Sequence, residues 1–142
     1  MIERSAFVGK SVQVSKSATN GWYSVIAIPT PAARPPLTVL PKKAPPWLLK
    51  QLGVPIRMQD PAFDGAFGVW GPSIPFAFDV LDARTRQWML ADPRFHAWPL
   101  QFQDANLLTW ADSYPEPEQI APKLDLLHEF LDRTDPRIWQ QG

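Results

Sequence analysis

The chain has no cysteine among its 142 residues. Disulfide bonds, zinc sites built on thiolates and cysteine nucleophiles are therefore excluded by composition alone. The lack of cysteine does not indicate a compartment, because a chain without thiols is compatible with either redox environment. A chain of this length buries roughly 68–70% of the surface that its unfolded form exposes, so it can fold without a metal or a disulfide.

An excess of charge and a long apolar segment are missing as well. Fourteen basic residues balance fourteen acidic ones, and the longest basic run is Lys42-Lys43. Such a chain lacks the positive surface that a phosphate backbone requires, so we expect no nucleic-acid partner. No apolar run approaches the ~20 residues of a membrane-spanning helix, and the first residues lack an apolar leader. We expect a cytoplasmic protein that is not inserted in a membrane and meets one only through a partner.

Patterns that indicate catalysis or metal binding are also scarce. The only histidines are His96 and His128, and neither has a second histidine or a glutamate at a spacing typical of metal sites. The sequence contains no Gly-x-Ser-x-Gly motif and no phosphate-binding glycine loop. We therefore expect no metal, no cofactor and no catalytic residue, and a surface or structural role for both histidines.

Two pairs of carboxylates are the remaining candidates for acid and base chemistry. Asp60 lies four residues before Asp64, and Asp79 lies three before Asp82. Paired carboxylates can divide such roles when their environments separate their pKa values. Their positions at turns and helix starts favour capping instead. A hydrolase that uses Asp60, Asp64 or His96 is thus the least favoured hypothesis.

Proline and tryptophan, in contrast, are abundant, with 17 and 7 residues. Prolines cluster in residues 29–36 and at Pro45-Pro46, where the missing N–H favours strand edges and connections. Disordered proline-rich chains are poor in aromatic and branched residues, whereas this chain carries both between its prolines. We predict ordered strands with prolines at their edges.

Alternating apolar residues and turn residues predict strands in six regions of the chain. The last region forms a hairpin that turns at Asp104-Ala105-Asn106. The predicted regions are a short strand or hairpin around Gly9-Lys10 at a sheet edge (Phe7, Val8, Val12 and Val14), Trp22–Ile28, Leu37–Leu40, Ile56–Met58, Ala66–Trp70, and the hairpin over Ala97–Ala111 with Trp98, Leu100 and Phe102 opposite Leu108 and Trp110.

Three helices are predicted from apolar spacing and end signals. A short one over Trp47–Leu52 follows Pro45-Pro46, ends at Gly53 and buries its leucines. A second over Phe76–Ala91 restarts at Asp82 as an N-cap and stops at Asp92-Pro93. The last contains Pro122 near its start and carries one apolar stripe, formed by Ile120, Leu124, Leu127 and Leu131. Together these elements predict a single α+β domain over residues 1–142, a mostly antiparallel sheet with two main helices on one face and one short helix.

Five short motifs spread over the chain resemble those of an uncharacterised family of actinobacterial proteins. The motifs are Gly9-Lys10-Ser11-Val12, Ile28-Pro29-Thr30-Pro31, the segment from Phe63 to Val69, Leu81-Asp82-Ala83-Arg84 and Leu107-Leu108-Thr109-Trp110. The resemblance implies an α+β architecture and no particular reaction. Family members often place membrane-spanning helices ahead of this domain, which implies a domain on the inner side of a membrane. This chain departs from the family in lacking those helices, and at Lys10-Ser11, where the family has Arg-Pro.

Tryptophans are the remaining candidates for a binding surface, because their rings are favoured at interfaces as well as in cores. The candidate interaction residues are Trp22, Trp70, Trp98 and Trp139, the last as an anchor for the C-terminal segment or for a partner. We predict a non-catalytic protein-interaction domain with an exposed aromatic patch and an unidentified protein partner. The alternative is a carrier of a small apolar ligand, with a cavity lined by Trp and Phe between the sheet and the last helix.

Overall fold

The computed structural model describes residues 2–7, 12–17, 21–111 and 116–140, and the side chains within 24–111 and 116–140. These ranges contain seven strands: β1 (Ile2–Phe7), β2 (Val12–Ser17), β3 (Gly21–Pro29), β4 (Leu37–Pro41), β5 (Phe67–Trp70), β6 (Leu100–Gln103) and β7 (Asn106–Ala111). All pairings are antiparallel, and the strands form one sheet in the order β1-β2-β3-β7-β6-β4-β5.

One face of this sheet carries the core. On β3, Ile26 and Ile28 are buried, whereas Ala27 between them is half-buried. The register places Ile28 opposite Leu107, and Leu107 opposite Phe102, so the buried residues of three strands share one face. Successive side chains of a strand point to opposite faces, so a strand covered on one side alternates in this way. We call this the core face and the opposite side the outer face.

The edge formed by β4 and β5 is buried on both faces. Leu40 pairs with Gly68 on the outer face, and both are buried together with Trp70. A side chain at Gly68 would overlap the Trp70 ring, with its Cβ 2.8 Å from Cζ3. The Trp70 indole N–H donates to the carbonyl of Gly53 at 3.1 Å. The missing side chain of Gly68 therefore lets the Trp70 ring lie flat against this part of the sheet.

Six α-helices and one 3₁₀-helix occur within the described ranges. They are α1 (Pro46–Leu52), α2 (Pro61–Ala66), α3 (Ile74–Val80), α4 (Ala83–Ala91), α5 (Pro93–Ala97), α6 (Pro117–Arg133) and the 3₁₀-helix Pro136–Trp139. Five of these helices begin at a side chain that accepts a backbone N–H: Asp60 in α2, Ser73 in α3, Asp82 in α4, Asp92 in α5 and Asp135 in the 3₁₀-helix. Such caps give a hydrogen-bond acceptor to N–H groups that have no partner inside the helix. Proline at the first helical position breaks no hydrogen bond of the helix, because the N–H that it lacks would have no acceptor inside the helix.

The predicted helix Phe76–Ala91 consists of two helices, α3 and α4. They are separated at Leu81, whose backbone is not helical, and Asp82 accepts from the Thr85 N–H at 2.9 Å. The prediction that Asp82 restarts the helix is confirmed. Asp92 ends α4 as predicted, but it also caps α5, because proline after a capping residue starts a helix as readily as it stops one.

Helix α1 is confirmed, but its predicted buried face is wrong. It begins at Pro46 and ends at Gly53, where φ is +80°. None of its residues is buried: Leu48 is half-buried and Trp47 is 55% exposed. The core face of the sheet is covered by other segments, so the apolar residues of α1 remain at the surface.

The strongest strand predictions are confirmed in β3, β4 and β5 and in the hairpin of β6 and β7, which turns through Asp104 with φ of 54°. Strands β1 and β2 form an antiparallel pair at one edge of the sheet, where the sequence predicted a short strand or a hairpin, and Gly9-Lys10 lies outside the described residues. No strand forms at Ile56–Met58, where the Ile56 N–H donates to the Val69 carbonyl at 2.7 Å. Trp98 follows α5 and precedes β6, so its predicted place on a strand is wrong.

Helix α6 packs on β3 and β7 with a stripe shifted from the predicted one. Its buried residues are Lys123, Leu126, Leu127 and Phe130, whereas Ile120, Leu124 and Leu131 are half-buried at the side of this stripe. Pro122 lies inside the helix at its sixth residue. The shift brings one lysine into the buried face, which hydrophobicity alone does not predict.

The fold is α+β with an antiparallel sheet, as predicted. The described ranges hold more helices than the three that the sequence indicated, because the capped helices α2 and α5 span only six and five residues. Helices this short have too few residues to show a helical period.

Candidate binding groove

An open groove lies at one end of the sheet, where β4 ends, β6 begins and β7 ends. Its volume is about 410 Å³. The lining comes from Leu40 and Pro41 of β4, Ala44, Pro45 and Leu48 at α1, Ala97 and Pro99 before β6, Trp110 and Ala111 of β7, and the polar residues Lys43 and His96. We call this the α1 groove.

Two hydrogen bonds attach the residues on either side of α1 to the segment that contains α2 and β5. Before the helix, the Lys42 N–H donates to the carbonyl of Ala66 at 2.8 Å. After it, the carbonyl of Gly53 accepts the indole N–H of Trp70 at 3.1 Å. The left-handed backbone at Gly53 allows the chain to leave the helix towards this contact. The chain is therefore held in place both before α1, at Lys42, and directly after it, at Gly53.

Helix α1 and the residues after it expose large apolar side chains. Trp47 of α1 is 55% exposed and Val54 after the helix is 93% exposed. Trp110 is half-buried in the groove itself. Exposed rings next to a concave apolar surface are typical of protein-binding sites. Trp47 was not among the candidates from sequence. Its short helix begins at the second of two prolines and contains Lys50. This lysine is the one local sign that the helix lies at the surface.

His96 forms part of the wall of the groove. Its Nε2 lies 3.2 Å from the carbonyl oxygen of Leu90, so this nitrogen is the donor in that contact. Its ring centroid lies 4.9 Å from that of Phe67. The ring is thus oriented by a carbonyl and an aromatic neighbour, which fits a structural role. His128 is exposed on α6, a surface position.

The four tryptophans predicted from sequence do not form one patch. Trp70 and Trp139 are only 8% and 9% exposed, and each donates its indole N–H within the chain, Trp139 to the Thr134 hydroxyl at 3.1 Å. The side chain of Trp22 lies outside the described ones. The rings of Trp70 and Trp139 are therefore turned into the protein and offer little surface to a partner.

Trp98 is half-buried and has a cation on its ring. The ammonium of Lys123 lies 5.6 Å from the ring centroid, a distance at which the two attract. Lys123 is only 5% exposed, and this burial lowers its pKa, an effect that the nearby charge of Glu116 partly offsets. One side of the Trp98 ring is thus occupied by the chain's own lysine.

The carboxylates considered for catalysis have structural partners. Asp60 caps α2 and accepts from Arg86 Nε at 3.0 Å, and its hydrogen bonds from Phe63 N–H and then Arg86 lower its pKa. Asp64 accepts the N–H of Met58 at 3.0 Å. The contacts of Asp60 stabilise its charged carboxylate and fit the capping interpretation, and the bond from Met58 gives Asp64 a structural partner.

The second pair of carboxylates, Asp79 and Asp82, also consists of two residues in different surroundings. Asp82 caps α4, whereas Asp79 is exposed on α3. The two residues therefore have different surroundings, and the capping role accounts for Asp82.

Aromatic rings occupy the space between the sheet and α6, where the carrier hypothesis places its cavity. The ring of Phe102 lies 6.1 Å from Phe130 and 5.8 Å from Trp139, and Phe76 lies 6.4 Å from Trp139. Phe95 and Trp88 extend this cluster, with centroids 4.8 Å apart. Rings at such distances are in contact, so the carrier hypothesis gains no support from this region.

Fold and surface together define an α+β chain with an antiparallel sheet and an open apolar groove at one sheet end. No protein-family model matches the chain, and comparisons with curated proteins and with solved structures give no significant match. Within the described part of the chain, no helix has the length and apolar character to cross a membrane. The same residues contain no group of three or more potential His, Cys, Asp or Glu metal ligands.

Proposed function

We propose that this chain is a non-catalytic protein-interaction domain that docks a protein partner at the α1 groove. The observation that carries the proposal is that α1 has three leucines and a tryptophan and buries none of them. An apolar helix is normally held in place by burying one face. Here hydrogen bonds at Lys42 and Gly53 hold the flanking residues. Trp47 is 55% exposed and the leucines are only half-buried, so apolar surface of α1 is left for a partner.

The groove also offers what a docking site requires. Trp47 supplies a large exposed ring, and Trp110 and Leu48 line a concave surface beside it. Residues that dominate binding energy in protein interfaces are commonly aromatic and lie next to such pockets. The resemblance to the actinobacterial family adds a prediction about the partner, a protein of a membrane or envelope complex.

A selection from a phage-displayed library of random peptides tests the docking site. Peptides selected on the wild-type protein should lose binding to the Trp47→Ala and Leu48→Ala variants. They should keep it with Ile74→Ala, because Ile74 is equally exposed, at 57%, but lies on α3. In NMR titrations the selected peptides should shift the resonances of Trp110 and His96.

Two outcomes would contradict the proposal. One is a set of peptides that bind the two α1 variants as well as the wild type, and the other is a selection that enriches no peptide. Circular dichroism of each variant shows that the fold is retained before binding is compared.

A further inference from the structure

The outer face of the two central strands, β3 and β7, is apolar. The register places Ala27 opposite Leu108 and Val25 opposite Trp110, and all four side chains are half-buried. The residues between them are buried on the core face, where α6 packs. Both strands therefore present apolar side chains on both sides, and those of the outer face keep part of their surface exposed.

Two further strands extend this outer face without adding charge. Gln101 of β6 lies opposite Leu108, and Thr38 of β4 lies opposite Gln101, so both join the row of Ala27 and Leu108. Both are uncharged and half-buried. An antiparallel sheet that is solvated on one face usually carries polar residues there, whereas strands that are apolar on both faces are usually covered on both. The outer face thus has the composition of a face that packs on another surface.

Charges of opposite sign lie at the two ends of this face. Strands β4 and β6 are antiparallel neighbours, so their last residues lie at opposite ends of the sheet. Lys43 follows β4 and lines the α1 groove beside Trp110, whereas Asp104 follows β6 directly. Both charged residues are exposed. The face is therefore electrostatically complementary to a second copy of itself that is turned end to end.

We propose that a second copy of the chain packs its outer face on this one around a twofold axis perpendicular to the strands, with Leu108 in the contact and Lys43 near Asp104 of the other copy. A twofold axis forms each such ion pair twice, and an uncharged apolar centre does not repel its own copy. Two antiparallel sheets pack face to face at about 10 Å with nearly aligned strands, which is the geometry of a β-sandwich. This inference goes beyond the docking function, because its main contact is the sheet and not α1.

Sedimentation velocity of the full chain at several concentrations measures the association. The wild type should form a dimer as its concentration rises, and Leu108→Lys should remain a monomer, because two lysines would meet an apolar surface. Ala27→Lys, on the neighbouring strand, should act in the same way and replaces Leu108→Lys if that variant does not fold by circular dichroism. The control Ile74→Lys, exposed on α3, should leave the dimer unchanged.

The arrangement of the two copies is tested with the charges at the ends of the sheet. We expect Lys43→Glu to weaken the dimer by about threefold or more, because it replaces an attraction by a repulsion. Adding Asp104→Asn to this variant should recover part of the association, since it removes the repulsion and asparagine tolerates the positive φ at this turn. Equal dissociation constants of the single and the double variant would overturn the end-to-end arrangement.

The inference and the docking function fail separately. A wild type that stays monomeric at the highest soluble concentration overturns the second copy and leaves docking at the α1 groove intact. A dimer that survives Leu108→Lys but is lost in Trp47→Ala places the contact on α1 and overturns the use of the outer face. Peptides that depend on Trp47 should still bind Leu108→Lys, because Leu108 does not line the groove.

Discussion

Gly68 shows how strongly a single residue determines the local packing. It lies on the outer face of β5, opposite Leu40, under the ring of Trp70. We expect Gly68→Ala to lower the free energy of unfolding by about 1–3 kcal/mol, because the added methyl overlaps a ring that is itself held by a hydrogen bond. Urea denaturation of the purified protein measures this change.

A matched control is Gly65→Ala, in the short helix α2. A methyl group at Gly65 meets nothing within 4 Å. Alanine there should leave stability unchanged or raise it by about 0.5–1 kcal/mol, since glycine is the poorer helix former. Equal losses in the two variants would show that the Trp70 ring is not the cause.

Lys123 is the one charged residue in the buried stripe of α6. We expect Lys123→Met to raise the free energy of unfolding by about 1 kcal/mol or more, because the substitution removes a buried charge and keeps a long apolar side chain. The exposed Lys50→Met variant should change stability little. A loss of stability in Lys123→Met would instead show that the contact with the Trp98 ring outweighs the cost of burial.

The same lysine predicts a dependence of stability on alkaline pH. Burial lowers the pKa of Lys123 in the folded chain, whereas in the unfolded chain it stays at about 10.4. Between the two values the unfolded chain binds more protons, so wild-type stability should rise with pH across that interval. Urea midpoints measured along this range should rise for the wild type and not for Lys123→Met. Parallel pH profiles would contradict the assignment.

At the scale of elements, short capped helices replace the longer helix that apolar spacing predicted. Asp82 supports this arrangement, since it accepts the Thr85 N–H at the start of α4. We expect Asp82→Ala to cost about 1 kcal/mol of stability, the usual effect of a lost N-cap. Asp82→Asn should keep most of that stability because its amide oxygen can accept the same bond.

Asp79 provides the comparison for this cap. It is exposed on α3 and lies three residues before Asp82. Asp79→Ala should change the urea midpoint little, as is usual for surface substitutions. If both alanine variants lost stability equally, the effect would come from charge and not from capping.

The elements that could be predicted are those whose signals are local. Asp82 could be recognised as a cap and Gly53 as a helix end because each acts on residues within one turn. The α2 and α5 helices were missed, since six and five residues are too few to show a period and their prolines resemble turns. The spacing at Ile56–Met58 is typical of a strand, yet the segment forms none and is joined to β5 by the hydrogen bond from the Ile56 N–H to the Val69 carbonyl.

Across the whole molecule, Trp139 connects the end of the chain to the core. Its ring lies 6.4 Å from Phe76 of α3 and 5.8 Å from Phe102 of β6. We expect Trp139→Ala to lower the free energy of unfolding by about 3–5 kcal/mol, as for other large-to-small core substitutions. Trp47→Ala, at the exposed position on α1, should change it by less than about 0.5 kcal/mol.

Urea unfolding followed by both circular dichroism and fluorescence compares these two variants. Near-neutral effects of both would mean that Trp139 does not pack as an anchor for the C-terminal segment. A large effect of Trp47→Ala would mean that its ring stabilises the fold, which would weaken the docking proposal.

Most of the candidate site could not be predicted from individual residues of the sequence. The sequence named four tryptophans, and the exposed one of α1 was not among them. The net charge is zero, but residues 1–59 contain eight basic residues and one acidic residue, and this uneven distribution could have been found from the sequence. The groove itself could not, because Leu48, His96 and Trp110 come from three distant segments that meet only when β4, β6 and β7 pair.

Local signals in the chain specify the α+β class, the alternation of the β3 strand, the hairpin at Asp104 and the capped helix starts, because each depends on a few neighbouring residues. Which apolar residues are buried depends instead on what packs opposite them. Other segments already cover the core face, so α1 remains at the surface, and the rotation of α6 brings Lys123 inward. A side chain is buried only where another segment packs against it. The spacing of apolar residues along one segment predicts which face is apolar, but it does not identify the segment that covers that face.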